Sequence, residues 1–421
     1  MDFIILVSAF IALLMLGTSV ASAMILSATL SLLLADMPLR VVADRLLAGL
    51  NSYTLLAVPF FIFAAVAMNR GGLTRRLLDV ARVFVGRFPG GTAQVNILAS
   101  IFFAGMSGSA TADAASQGRI LIPHMKKEGY DPGFAAGITA AASTIGAIIP
   151  PSITMIIYGS ITNISIGKLF LAGIGPGLLI GIALMAMTWR LSVRRGYPVS
   201  APVPWRDRLR PVVVALPALL APALILGSIF TGVTTPTEAG VVACIYALLL
   251  GFFVYRDLGI RDVVPLLEEA VVATAVPLYI IAAGAVFGFA LTVTGFGFQV
   301  RDALGALTDS AHLFLLIAIA SFLVIGFFIE GTAALLIFVP VFTPIAQSYG
   351  IEPLLFAVVT CIVVLIGTIT PPVGLQLFIT ADIAKVSVFQ VEVLPSVGII
   401  LAVVAAIIAF PSIVTFLPSL L

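Results

Sequence analysis

Repeated apolar runs close to 20 residues long constrain this chain more than any other feature. A bilayer interior offers no water to bond backbone N–H and C=O groups, so segments that cross it must be helices or closed barrels. About 20 apolar residues carry a helix across. With 61% of its 421 residues hydrophobic and 10% charged, against roughly a quarter charged in soluble domains, the chain is expected to be an all-α polytopic membrane protein in contact with the lipid bilayer. The same numbers exclude a nucleic-acid binder and a cytosolic enzyme. A net charge of +2 gives no charged domain to steer a macromolecular partner, and the longest polar interruption, Arg190 to Arg210, is too short to fold alone.

Catalysis lacks its parts. Cys244 and Cys361 lie in apolar runs, where they read as small hydrophobes. His124 and His312, with no HExxH or CxxC spacing, leave transition metals without ligands. No nucleophile and base recur at helical spacing, so no enzyme is expected, and no GxxxxGK[ST] loop implies ATP. The stretch from Phe3 to Leu34 follows neither a basic n-region nor a small-residue cleavage site, so it is expected to be retained in the membrane. The run admits one long tilted helix or two short ones broken near Gly17-Thr18, and the repeat described next favours two.

A shift of 221 residues superposes Gly105 on Gly326, Thr111-Ala112 on Thr332-Ala333, Gly129 on Gly350, Ile145-Gly146 on Ile366-Gly367 and Pro150-Pro151 on Pro371-Pro372. A shift of 218 aligns Ala57-Val58-Pro59 with Ala275-Val276-Pro277. Because Gly and Pro dominate the matches, what repeats is backbone breakage. Lys and Arg gather on the cytoplasmic side of short loops. The joint after the first interrupted segment carries Lys126-Lys127 while its counterpart, Ala346 to Pro353, carries no cation, so the repeat reads as inverted. That orientation puts sixteen of 21 basic residues inside, with Arg40, Arg45, Lys168 and Arg301 outside and Arg119 unassigned. Inverted repeats with broken helices are the construction of secondary transporters, which bind substrate and ions near the midplane at the breaks.

Four segments carry the chemistry. Phe102 to Asp113 and Ile325 to Ala334 each have a glycine-rich centre between apolar flanks, and each predicts a re-entrant helical hairpin with halves of about ten residues, too short to span singly. Ser143 to Ser152 and Leu365 to Gly374 each hold a Pro-Pro pair, which removes two N–H donors and frees carbonyls upstream, so each predicts an unwound transmembrane helix. Freed carbonyls flanked by hydroxyls suit a desolvated monovalent cation such as Na⁺. The first site pairs Ser107 with Gly146, Ile149 and Pro150, with Ser109 and Thr144 as outer candidates. The second pairs Gly326 with Gly367, Thr370 and Val373, with Thr332 nearby. Between them, positive helix ends and the hydroxyls of Ser109, Thr111 and Thr332 are expected to hold a carboxylate or sulfonate.

Glu330, Glu238, Asp113 and Asp382 stand in or near apolar surroundings, where acids invite functional readings. Asp113 has two readings, a local cap or pair and a functional acid. Glu238, in Thr235-Pro-Thr-Glu-Ala239, reads as a capping-box acid. Arg70 to Arg87 reads as an amphipathic helix on the cytoplasmic interface.

The chain resembles the large membrane subunit of tripartite ATP-independent periplasmic (TRAP) transporters over nearly its whole length. The motifs are Leu50-Asn-Ser52 with Val58-Pro-Phe-Phe61, Met68-Asn-Arg-Gly-Gly72, Pro89-Gly-Gly-Thr-Ala-Gln-Val-Asn96, Gly105-Met-Ser-Gly-Ser-Ala-Thr-Ala-Asp113, Ile148-Ile-Pro-Pro-Ser152, Thr235-Pro-Thr-Glu-Ala239 and Thr370-Pro-Pro-Val-Gly374, in this order. The resemblance implies an elevator-type importer in the bacterial inner membrane with Na⁺ as coupling ion. It also implies two partners, a periplasmic substrate-binding protein and a small four-helix membrane subunit, and carries the ion ligands onto the positions already reached from the breaks. One departure is Glu330-Gly331, where many relatives have Asp-Thr at the second tip.

On this reading residues 1–90 hold scaffold helices and a cytoplasmic arm, and 91–190 the first half of a transport domain, with its hairpin at 97–125 and its unwound helix at 133–160. Residues 191–311 hold a cytoplasmic loop, scaffold helices and a second arm. Residues 312–421 hold the second half, with its hairpin at 312–345, its unwound helix at 353–380 and a last helix. Two other readings share the pattern: a stand-alone sodium/divalent-anion symporter, and a passive anion channel.

Overall fold

The structure, a computed structural model, describes residues 2–199 and 204–420. Residues 200–203 of the expected cytoplasmic loop, and the side chain of Arg206 in it, lie outside the described residues. Regular structure among the described residues is helical throughout, and seven helices are long and apolar enough to cross a membrane.

The N-terminal run is two helices, α1 (Asp2–Met15) and α2 (Val20–Leu34), separated at Gly17. After α3 (Arg40–Leu50) and α4 (Ala57–Arg70) comes the amphipathic α5 (Leu73–Val85), with Arg75, Asp79 and Arg82 exposed and Leu73, Leu77 and Ala81 buried. The first broken pair is α6 (Gly91–Ser107) and α7 (Ala110–Lys127), and the second is α8 (Pro132–Gly146) and α9 (Ile153–Thr162). After α10 (Ile166–Arg195) two long helices, α11 (Trp205–Phe230) and α13 (Val263–Val293), bracket the shorter α12 (Pro236–Leu249). The pattern then returns. The second arm is α14 (Phe296–Leu307), and the broken pairs are α15 (Ala311–Phe328) with α16 (Gly331–Ser348) and α17 (Pro353–Gly367) with α18 (Leu375–Ala384). α19 (Leu394–Ala409) and α20 (Ser412–Thr415) close the described chain.

Local chemistry sets the boundaries. α7 and α16 end near Gly129 and Gly350, at φ 90° and 72°, a left-handed turn that glycine takes without the Cβ clash. Two residues later Asp131-Pro132 and Glu352-Pro353 start α8 and α17. The proline gives up an N–H that a first helical turn would leave unbonded, and the carboxylate meets others: Asp131 accepts from Gly133 N and Phe134 N at 2.8 and 3.1 Å, and Glu352 from Leu355 N at 2.5 Å. Thr235 and Glu238 form the expected capping box on α12.

The broken segments depart from expectation in length. In place of halves of about ten residues, α6 has 17 and α7, α15 and α16 have 18 each. The polar residues that interrupt the apolar count do not interrupt the helix, because each finds a partner across the bundle. Thr92 Oγ1 donates to Glu128 at 2.6 Å, Gln94 Nε2 to Met185 O at 2.9 Å and Asn96 Nδ2 to Thr139 Oγ1 at 2.6 Å. Pro123, Pro340 and Pro344 likewise sit inside helices.

The two halves interlock. α18 packs on α7 and α8, α16 on α9, and α17 and α19 on α10, while α4 packs with α12 and α13, and α13 with α2 and α3. Gly133 and Gly137 let α8 lie directly on the backbone that leads into α19. A Cβ on Gly133 would stand 2.2 Å from Gln390 O, and one on Gly137 2.4 Å from Glu392 O; Glu392 N–H donates to Gly133 O at 3.1 Å. Gly137→Ala is therefore expected to cost about 1–3 kcal/mol through overpacking, read as a lower melting temperature in detergent. Gly227→Ala, with nothing within 4 Å of the added carbon, should leave the melting temperature unchanged or raise it slightly.

Candidate ion and substrate site

The site begins with missing N–H groups. Pro150 and Pro151 cannot donate to the carbonyls four residues upstream, Gly146 and Ala147, and Pro371 and Pro372 do the same to Gly367 and Thr368. Both Pro–Pro peptide bonds are cis. Some of the freed carbonyls regain partners nearby: the Ser152 hydroxyl donates to Ala147 O, Gln376 N to Thr368 O at 3.1 Å and Thr370 N to Gly367 O at 3.0 Å. Gly146 keeps no i+4 donor.

Each break is met by the tip of the preceding helix pair. Between α6 and α7 the chain turns at Gly108, φ 61°, whose carbonyl accepts from Ile153 N at 3.2 Å; a Cβ there would fall 2.4 Å from Pro151 O. Between α15 and α16, Phe327 O accepts from Gly374 N at 3.4 Å, and Gly326 lies face to face with Gly367, where a Cβ on Gly367 would be 2.5 Å from Gly326 Cα.

In the first group Ser107 and Gly146 are brought together, and Asp113 is what joins them. The Ser107 hydroxyl donates to Asp113 Oδ1 at 2.5 Å, and a Cβ on Gly146 would lie 1.8 Å from Asp113 Oδ2. Pro150 lies within the break, while the Ile149 side chain turns away towards Gly177 of α10 and the Thr144 hydroxyl bonds its own helix at Ala141 O, 2.7 Å away. In the second group Gly326 and Gly367 touch, the Thr370 hydroxyl donates to Ile366 O at 2.6 Å, and Val373, whose side chain has no ligand atom, can contribute only its main chain.

Both tips open onto one cavity of about 510 Å³, which also touches α4 and α13. Ser109, Thr111 and Thr332 line it. Ser109 caps α7, accepting from Ala112 N at 3.4 Å, and Glu330, its counterpart under the 221-residue shift, caps α16. Glu330 accepts from Thr332 N at 2.9 Å, from Ala333 N at 3.4 Å and from the Thr332 hydroxyl at 3.1 Å. The departure at the second tip is thus a helix cap whose carboxylate is already bonded.

Three cavity residues escaped the sequence reading of the site. Asp113, whose role the sequence leaves open, is 1% exposed, with Oδ2 lacking a hydrogen-bond partner. Arg119 lines the cavity and makes no ion pair among the described residues. Gln376, 2% exposed, lines it too and accepts from the Ser143 hydroxyl at 3.1 Å, tying one half to the other. Their intramembrane charge or polarity was the available signal; their convergence was not.

A bundle of membrane-length helices in which two repeated sets of broken helices surround one cavity defines a polytopic membrane transport protein. The chain belongs to the family described as tripartite ATP-independent periplasmic transporter, DctM component, whose family model matches residues 7–413. It is 40% identical over 381 residues to the sialic acid TRAP transporter permease protein SiaT of Haemophilus influenzae, covering 90% of this chain and 62% of that longer protein. It is 39% identical over 359 residues to the C4-dicarboxylate TRAP transporter large permease protein DctM of Pseudomonas aeruginosa, covering 85% of this chain and 84% of that one. Among solved structures, Neisseria gonorrhoeae MtrF, from a class of antimetabolite efflux pumps, aligns with a TM-score of 0.57 at 16% identity over 89% of this chain and 84% of that one, a likeness of fold alone.

Ser152 holds the first break twice, donating to Ala147 O and, as cap of α9, accepting from Met155 N at 3.2 Å. Ser152→Ala is expected to cost about 1–3 kcal/mol, the penalty of a buried carbonyl left unbonded plus a lost cap, with Ser152→Thr much closer to wild type in a thermal melt.

Proposed function

We propose that this chain is the large membrane subunit of a Na⁺-coupled importer of a small organic acid anion, carboxylate or sulfonate, in the bacterial inner membrane. Its partners on this reading are a small four-helix membrane subunit and a periplasmic binding protein that delivers the substrate. The observation that carries the reading is the shared cavity: the N-terminus of α7, the hydroxyls of Ser109 and Thr111 and the guanidinium of Arg119 face one space with the carboxylates of Asp113, Glu269 and Glu330. Glu330 is bonded at the start of α16 and Glu269 is paired with Arg70, which leaves a helix N-terminus and an Arg without an ion pair to favour an anion. The two relatives named for sialic acid and C4-dicarboxylate, both acids, support the same polarity.

Na⁺ would sit at the two breaks, at Ser107, Gly146, Ile149 and Pro150 and at Gly326, Gly367, Thr370 and Val373, where oxygens are the available ligands. The tips are bonded to the middles of the composite helices α8–α9 and α17–α18. A composite helix that crosses the bilayer carries its break at mid-depth and the tip with it, which supports the reading of α6–α7 and α15–α16 as re-entrant hairpins. The interlocked body of α6–α10 and α15–α19 then moves as an elevator against α1–α4 and α11–α13. Two Na⁺ with a monoanion carry one net charge inward, worth about 2.3 kcal/mol per 100 mV.

Proteoliposomes holding both membrane subunits, supplied with the binding protein and its acid, are expected to accumulate substrate only with an inward Na⁺ gradient. Undiminished uptake without Na⁺ ends the coupling reading. Uptake without the binding protein favours a stand-alone symporter, and flux that does not saturate favours a channel. Arg119→Gln should lower uptake at least tenfold while leaving the melting temperature in place, since Arg119 bonds no other described residue.

A further inference from the structure

We infer that two buried water sites seat α6, one against α10 and one against α7; the inference stands apart from the Na⁺-coupled reading above. Of the seven buried side-chain atoms without a hydrogen-bond partner among the described residues, five lie on α6 or on the helices that face it: Gln94 Oε1, Asn96 Oδ1, Gln117 Nε2, Thr188 Oγ1 and Ser192 Oγ. Each of these residues is 2% exposed or less. A buried polar atom left unbonded is costly, and where protein supplies no partner an ordered water is the usual one. The two α10 hydroxyls also forgo the carbonyl one turn back, the bond that Thr139 makes to Ala135 O and Ser100 to Asn96 O.

On the α10 side, a Cβ on Gly90, the residue before α6, would stand 2.2 Å from Ser192 Oγ and 3.6 Å from Thr188 Cγ2, and one turn on Gln94 Nε2 donates to Met185 O at 2.9 Å. That bond commits the Gln94 nitrogen, so an amide oxygen and two hydroxyls are left over on adjoining turns. On the α7 side, Ser100 Oγ lies 3.0 Å from Asn96 O and 3.3 Å from Gln117 Oε1, and Thr139, which takes Asn96 Nδ2 at 2.6 Å, would meet a Cβ on Gly118 at 3.6 Å. The Thr139 proton goes to Ala135 O, so the Asn96 amide faces Thr139 with its nitrogen and keeps its oxygen free. Across the same seam stands the free N–H of Gln117. A cation suits oxygens and not an N–H donor, whereas water both donates and accepts and meets either set. The second half is built otherwise. The 221-residue shift puts Leu315, Ile317 and Phe338 at Gln94, Asn96 and Gln117, and Phe322 of α15 packs on Phe338 and Phe342 of α16 with ring centroids 6.4 and 5.3 Å away. α6 is seated through water and its counterpart α15 on aromatic rings.

The test uses the complex with the small membrane subunit. A cryo-EM map of the wild type that resolves ordered water should show density within hydrogen-bond reach of Gln94, Thr188 and Ser192, and again of Asn96 and Gln117. Thr188→Val keeps the shape of the side chain and removes the hydroxyl. With water bound, it should lower the melting temperature by a few degrees; a hydroxyl with nothing bound would instead make valine equal or better, because the unmet polar group is gone. Thr292→Val, at an exposed hydroxyl bonded only to its own helix at Gly288 O, should melt as wild type does. A Thr188→Val protein at least as stable as wild type, or sites without density in the wild-type map, overturns the inference. So does a Thr188→Val defect that appears in NaCl and not in choline chloride, which would make the occupant a cation.

Discussion

Two pairs of prolines decide the architecture by what they cannot donate. In a low-dielectric interior a peptide group left unbonded costs about 1–3 kcal/mol, more than a typical hydrogen bond contributes once made, so each break must recruit partners. The recruitment is visible on both sides of the chain. Ser152, Thr370 N and Gln376 N answer some of the freed carbonyls, and the turn at Gly108 and the last residues of α15 at Phe327 bond the residues just beyond each break. The close approach that this requires is why Gly326 and Gly367 stack without side chains between them. The tips are where they are because the breaks are where they are.

Effects that act within a few residues were legible before any fold was known. The Pro-Pro pairs, the glycine turns, the Asp131-Pro132 and Glu352-Pro353 starts and the Thr235–Glu238 box all operate through their own backbone, and each stands where its residues put it. Helix length in the broken pairs was not legible, because Thr92, Gln94 and Asn96 look like an interruption until Glu128, Met185 and Thr139 are seen to answer them. The surroundings of the first break were half legible. Ser107 and Gly146 are named by the breaks, but Asp113 stands opposite Gly146 only because α7 crosses α8, and nothing in the sequence around either residue encodes that crossing.

The repeat preserves geometry and lets chemistry diverge. Position for position, Ser109 and Glu330 cap equivalent helices, one with a neutral hydroxyl and one with a carboxylate that is fully engaged, while Asp113 faces a break whose counterpart position is Ala334. Backbone breakage can be copied because glycine and proline set it alone. The charge beside each break is free to differ, so two breaks of one shape present different electrostatic surroundings.

The same interlocking bears on how events at one break reach the other. Lys126 Nζ donates to Ala384 O at 2.6 Å and Ser143 to Gln376 at 3.1 Å, so α7 and α8 of the first half are each bonded to α18 of the second. α18 begins at Gly374, whose N–H holds the second tip. A cation that orders the first break therefore acts on a body that already includes the second. A helix bonded to both halves offers such events a common body, and α18 is bonded to α7 and α8 of the first half, with the second tip held at the residue before its start. On the proposed reading, the anion enters a space whose two walls are set by one shared helix, and that is a physical route by which binding at either break raises affinity for what lies between them.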